Sequence, residues 1–129
     1  MKVYTLIILI LTLTGCGYTT DKLIIKNNSD KNVCYETLIT NNEGYYQASA
    51  GGEVVSKKTN SPTTRGAIWY QMEKESSDKI LYVVYYDSID REYVYKNIKT
   101  IVNDGKFKVN KYSLKELDSL KWVIIYDGK

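Results

Sequence analysis

Residues 79 to 88, "KILYVVYYDS", constrain the fold of this chain more than any other stretch. From Tyr82 to Tyr86 every residue is β-branched or aromatic, and no polar residue alternates with them. A strand with one wet face alternates apolar and polar side chains, because successive residues point to opposite faces. An unbroken apolar run therefore predicts a central strand covered on both sides. A chain of 129 residues has room for one such layered core.

Other segments read as shorter elements around that strand. In "KLIIKNNSDKNVCYETLIT", Leu23 to Ile25 and Val33 to Thr40 flank the turn residues Asn27, Asn28, Ser29 and Asp30, which predicts a hairpin. Asn41 to Gly44 form the next turn, Tyr45 to Ala48 pair briefly, and Gly51-Gly52 break the chain. Glu53 to Lys58 read as a strand and "TNSPTTRG" as a loop. In "AIWYQMEKESS", Ile68, Trp69 and Met72 share helical spacing, and in "DREYVYKNIKTIV" so do Tyr93, Ile98, Ile101 and Val102. "KFKVNKYSL" alternates, with Phe107, Val109 and Lys111 on one face and Lys106, Lys108, Asn110 and Tyr112 on a polar one. Ser113 and Glu116 have capping-box spacing before Leu114, Leu117 and Leu120, and "KWVIIYDGK" closes the chain as a strand. The expected fold is mainly β, a single antiparallel β-sandwich-like domain with two or three short helices; the alternative is α+β.

The first residues carry the most specific signal. Met1-Lys2 precede an apolar run from Val3 to Leu13, then Thr14, Gly15 and Cys16. The run is shorter than the roughly 20 residues that span a bilayer, and its basic start and small final residues match a secretory leader. Leu13-Thr14-Gly15-Cys16 resembles the lipobox of bacterial lipoproteins, in which cleavage falls between the residues matched by Gly15 and Cys16 and the cysteine sulfur takes diacylglycerol. The alternatives are an ordinary secretory leader in which Cys16 happens to sit near the cut and an uncleaved N-terminal anchor helix; length and context favour the lipobox. The expected organisation is a signal peptide over 1–15, a lipidated cysteine and tether over 16–21, and one β-rich domain over 22–129. Two or more acyl chains give stable attachment, since each buried methylene contributes about 0.8 kcal/mol. The membrane is then a partner through the N-terminal lipid. Gly17, rather than aspartate, follows the cysteine, which the resemblance associates with the outer membrane of the cell envelope.

Composition narrows the chemistry. The sequence has no histidine, which removes the usual general base, nucleophile pairs built on it and the commonest metal ligand. Cys34 is the one cysteine besides Cys16, in a β-favouring run with no basic cluster around it, so a buried inert thiol is expected. Net charge is +3, and the only charged residue of the leader is Lys2, so the mature chain carries +2. No basic block points to nucleic acid. Asp87, Asp90 and Glu92 lack the spacing of a calcium loop, and Glu73 and Glu75 beside Lys74 read as a solvated face. No cofactor, metal or catalytic residue is expected, and the chain is not expected to be an enzyme. With 13 tyrosines, the candidate ligand site is an exposed aromatic cluster drawn from Tyr45, Tyr46, Trp69, Tyr70 and Tyr86.

The second half carries a further likeness. "ILYVVYYDS", "YVYKNI" and "VNKYSLKELDSLKWVIIY", within residues 80–126, resemble a group of small bacterial lipoproteins with no assigned activity. Lys111 stands where that group usually has arginine, and Tyr93 to Tyr95 where tryptophan is common. The resemblance implies a small β-rich lipoprotein and transfers no catalytic residue. The functional expectation is a lipid-anchored envelope protein that binds an envelope protein or glycan; the alternative is an inhibitor or immunity-type lipoprotein that blocks an enzyme.

Overall fold

A computed structural model describes residues 19–64 and 66–129. The leader, Gly15 and Cys16 lie outside the described residues. The described residues form nine strands: β1 (Thr19–Thr20), β2 (Ile24–Asn27), β3 (Val33–Thr40), β4 (Tyr46–Val54), β5 (Thr59–Asn60), β6 (Thr63–Thr64), β7 (Ile80–Tyr86), β8 (Lys108–Ser113) and β9 (Val123–Tyr126). Among the described residues three short α-helices join them: α1 (Ile68–Lys74), α2 (Arg91–Lys96) and α3 (Leu114–Ser119).

The larger sheet has the order β4-β3-β7-β8 and is antiparallel throughout. Its central strands are covered on both faces, as the apolar run in β7 predicts: Val33 to Ile39 and Leu81 to Tyr86 are all buried. Alternation divides them between two clusters. Tyr35, Ile39, Leu81, Val83 and Tyr85 meet Leu23, Ile25 of β2, Ile124 of β9, Ile68 and Met72 of α1, Leu117 of α3, and Trp122. Cys34, Leu38, Tyr82, Val84 and Tyr86 meet Val94 of α2, with Ile98, Ile101, Val102 and Phe107 of the following segment. A three-stranded sheet, β5-β2-β9, thus covers one face and a helical segment the other. The domain is mainly β with three short helices, and each buried aliphatic side chain contributes about 1.5–3 kcal/mol.

Several local expectations change. β2 makes no hairpin with β3; it pairs antiparallel with β5 and parallel with β9, the parallel exception to an otherwise antiparallel arrangement. Asn27 explains the corner. It is fully buried, its Nδ2 donates to the carbonyls of Lys31 (2.7 Å) and Val54 (3.0 Å), and its Oδ1 accepts from the Ser29 amide (2.9 Å). The turn chemistry there carries the chain from one sheet to the other. β4 continues through Gly51 and Gly52, which face Glu36 and Tyr35 across the ladder. A methyl at Gly51 would collide with the Glu36 carboxylate, and one at Gly52 would lie 3.1 Å from the Tyr35 hydroxyl. These glycines make room for two large neighbours.

The expected strand 53–58 stops at Val54, where Lys57 adopts φ 60° in a turn closed by Lys58 N to Val55 O. Within the loop 59–66, β5 and β6 make two-residue pairings with β2 and β1. In α1, Ile68 and Met72 are buried whereas Trp69 is exposed, and beyond β7 Tyr93 is exposed whereas Val94 takes the core position. β8 presents apolar groups to both layers, because Tyr112 packs on the first cluster and Val109 on the second. The Ser113–Glu116 capping box forms with both reciprocal bonds, while Leu120 stays exposed and only Leu117 of the three leucines is fully buried.

Candidate functional site

The parallel pairing of β2 with β9 brings two strand ends to the same edge of the domain. Asn28 N donates to Tyr126 O (2.8 Å) just past both ends. β7 ends nearby, since the rings of Tyr85 and Tyr126 lie 4.7 Å apart and are tilted by 32°. Two clefts open there. One, of about 360 Å³, is lined by the 28–32 loop, Asp87, Tyr126 and the 127–128 turn. The other, of about 300 Å³, is lined by Tyr86, Asp87, Phe107, Lys108 and Tyr126, among others. They share Asp87 and Tyr126 and form one groove.

Charge of both signs rings this groove. Lys108 Nζ lies 3.1 Å from Asp127 Oδ1 and 5.5 Å from the centre of the Tyr126 ring. Asp127 is held below the usual carboxylate range by the Lys129 amide that donates to it and by Lys108. Lys106 bridges Asp90 (3.2 Å) and the faces of Tyr93 (3.9 Å) and Phe107 (5.0 Å). Gly128, at φ 83°, turns the chain beside Ser29, where only glycine fits readily. Aromatic faces flanked by carboxylates, amides and ammonium groups suit a polar, polyhydroxylated ligand: rings cover its C–H face while polar groups exchange hydrogen bonds with hydroxyls.

A second polar cluster lies under α2. Glu36 is 4% exposed and accepts a hydrogen bond from the Tyr86 hydroxyl (3.1 Å). Burial raises the Glu36 pKa, against the opposing pull of Tyr86, Tyr95 and Arg91. Burial and the neighbouring Glu36 push the Tyr86 hydroxyl far above its ordinary range. Cys34, 1% exposed, receives Arg91 Nη2 at 3.3 Å. The thiol is buried as expected, but a cation from 57 residues further on lies against it, which local sequence does not reveal. On the opposite face of β7, the buried Tyr85 hydroxyl lacks a hydrogen-bond partner among the described residues. Burial and the surrounding tyrosines Tyr112, Tyr126 and Tyr35 hold its proton on firmly.

The five aromatics singled out in the sequence do not form one cluster. Tyr46 packs edge-on against Tyr82 (5.0 Å) towards the start of β7, whereas Tyr86 is buried at its end. Trp69 and Tyr70 form a T-shaped pair (5.9 Å) on α1, which packs on the other layer, and Tyr45 is exposed before β4. Of the five, only Tyr86 borders the groove. Sequence reading missed Tyr126 and Phe107; the signal that could have found them is their place at strand ends, beside Asp127 and Lys106. Asp90 pairs with Lys106 and Glu92 with Lys96, and among the described residues no three acidic or cysteine side chains gather as metal ligands. Glu73 lies 3.9 Å from Lys74 on an exposed stretch of α1.

The chain matches no family model, and no curated protein matches its sequence.

Proposed function

We propose that this chain is a lipid-anchored protein of the cell envelope that holds its groove away from the bilayer to bind an envelope glycan. The leader and Leu13-Thr14-Gly15-Cys16 support the anchor, together with the likeness of residues 80–126 to small bacterial lipoproteins. The observation that carries the reading is the run of β2. The chain leaves Cys16, reaches β1 within three residues, and enters β2 after Asp21. β2 ends at Asn27, whose side chain organises the loop lining the groove. At about 3.3 Å per residue, Asp21 and Asn28 stand roughly 20 Å apart. A tether at one end thus leaves the other end facing outward.

The groove is read as binding rather than catalytic. The sequence has no histidine, and the Cys34 thiol is closed off beneath Arg91. Labelling cells with a fatty acid tests the anchor: the protein takes up label and Cys16→Ser does not. A glycan array, followed by titration of the best ligand, tests the groove. Tyr126→Ala is expected to weaken that binding by tenfold or more, since stacking on a ring contributes about 0.5–1.5 kcal/mol beyond the area it buries. An unlabelled protein overturns the anchor, and an array without binding, or a Tyr126→Ala variant with full affinity, overturns the groove.

A further inference from the structure

The tether end of the domain carries its own unexplained chemistry. Thr19 and Thr20 pair with Thr64 and Thr63, and Asp21 N donates to Pro62 O (2.8 Å). The Asp21 carboxylate then accepts from the Ile68 amide (2.8 Å), which fixes the first turn of α1 beside the point where the tether arrives. That turn presents Trp69, 40% exposed, and Tyr70, 47% exposed. Neither is needed to anchor the helix, because Ile68 and Met72 fill the core beneath it at 0% exposure. Lys22 lies at the same end, its ammonium 3.9 Å above the ring of Trp122.

Chain length limits where this turn can be. Thr19 is the third residue after Cys16, and a fully extended chain reaches at most about 3.6 Å per residue. The lipidated sulfur is therefore within roughly 10–15 Å of the folded domain, including the side chain. The polar layer of one leaflet is itself about 5–8 Å deep. A domain tethered this closely lies against the headgroups. Tryptophan and tyrosine favour that layer, where the ring is half desolvated and the N–H or O–H keeps a polar partner.

We propose that Trp69 and Tyr70 seat in the headgroup layer of the leaflet that holds the lipid on Cys16. This rests on the lipid anchor proposed above and deepens it, for the contact fixes one orientation of the domain on the membrane. In that orientation β2 rises from the surface and the groove opens away from it.

The test uses the full chain extracted from membranes and reconstituted into phosphatidylcholine and phosphatidylglycerol vesicles, with and without bromine high on the acyl chains. Flotation reads the anchor, and bromine quenching of tryptophan reads the contact in the same sample. The protein is expected to float and to lose about half of its emission, one tryptophan of two. Trp69→Phe, a substitution of an exposed residue, is expected to float equally and to lose the quenching. Protein that floats without quenching overturns the contact and leaves the anchor standing. Quenching that persists in Trp69→Phe places Trp122 at the surface instead and also overturns the contact. Protein that fails to float overturns the anchor and the contact built on it.

Discussion

Asp21 offers the sharpest test of how the first residues of the domain are fastened. Helix α1 begins after Ala67, which supplies no side-chain cap, and its first turn contains no acidic residue. Its cap comes instead from 47 residues upstream. Asp21 Oδ2 accepts from Ile68 N at 2.8 Å, and Oδ1 accepts from Leu23 N at 3.0 Å, with the residue only 7% exposed. Replacing Asp21 with alanine leaves two buried amides without acceptors. Each costs about 1–3 kcal/mol, although measured N-cap losses of about 0.5–2 kcal/mol place the sum near the lower end. A destabilisation of about 2–4 kcal/mol follows, a large part of the roughly 5–15 kcal/mol that holds a small domain together. At around 4 °C or more per kcal/mol for a chain near this size, the thermal midpoint falls by about 10–15 °C. Asp21→Asn keeps one acceptor and turns an amide N–H₂ toward a donor, so its loss should be about half as large. Circular dichroism melts of the three proteins measure this, and amide exchange at Leu23 and Ile68 locates it. An Asp21→Ala melt within about 2 °C of the parent, or equal losses in both variants, would refute the two-bond account.

Two further outcomes follow from burial. In the folded protein the Glu36 pKa lies above its ordinary value of 4.5, chiefly through burial, so folding favours the neutral acid. That contribution is complete below the ordinary value and is lost as pH rises through the raised one. Glu36→Gln, which still accepts from Tyr86, should therefore match the parent at low pH and melt at a progressively higher temperature than the parent as pH rises; a constant difference across pH 4 to 8, to take a range of about four units, contradicts this. Ending the chain at Lys121 removes Trp122 and Ile124 from the core and the parallel partner of β2. Two such side chains contribute about 3–6 kcal/mol, and a cooperative melt of the shortened protein would show that β9 is dispensable.

The legible parts of the fold are those whose causes are local. β7 declares itself because both of its faces are covered, so its whole apolar run appears in the sequence. The α3 cap is readable because Ser113 and Glu116 satisfy each other within one turn. Misreadings arise where a local signal serves a distant purpose. Asn27 to Asp30 have hairpin chemistry, yet the Asn27 amide also holds the carbonyl of Val54 on β4. The partner of β2 is then chosen by Ile124, about a hundred residues on, through a core that no turn residue reports. Gly51-Gly52 read as a break because glycine is usually placed for its backbone. Here its value is the missing side chain beneath Glu36 and Tyr35.

The groove is harder to read because it depends on the least local of these pairings. Aligning β9 beside β2 in parallel carries Tyr126 to the edge where Asn28 and Asp87 already lie. An antiparallel β9 would carry it to the Asp21 end instead, and the groove would lose its ring. Exposure is equally non-local: α2 with its following segment covers Tyr86, and the Tyr82 ring covers part of Tyr46. Trp69 and Tyr70 escape such cover because the two helix positions that face the core go to Ile68 and Met72. The same strand that separates these exposed rings from the groove also joins them mechanically. β2, buried at Ile25 and Asn27, preceded by the buried Leu23 and bonded on both sides, links the Asp21 end directly to the loop at 28–32. If the proposed lipid anchor holds, loosening Asp21 should broaden the orientation of the groove relative to the membrane before it alters the groove itself, because neither Asp21, Leu23 nor Ile68, which make the capping bonds, lines the groove.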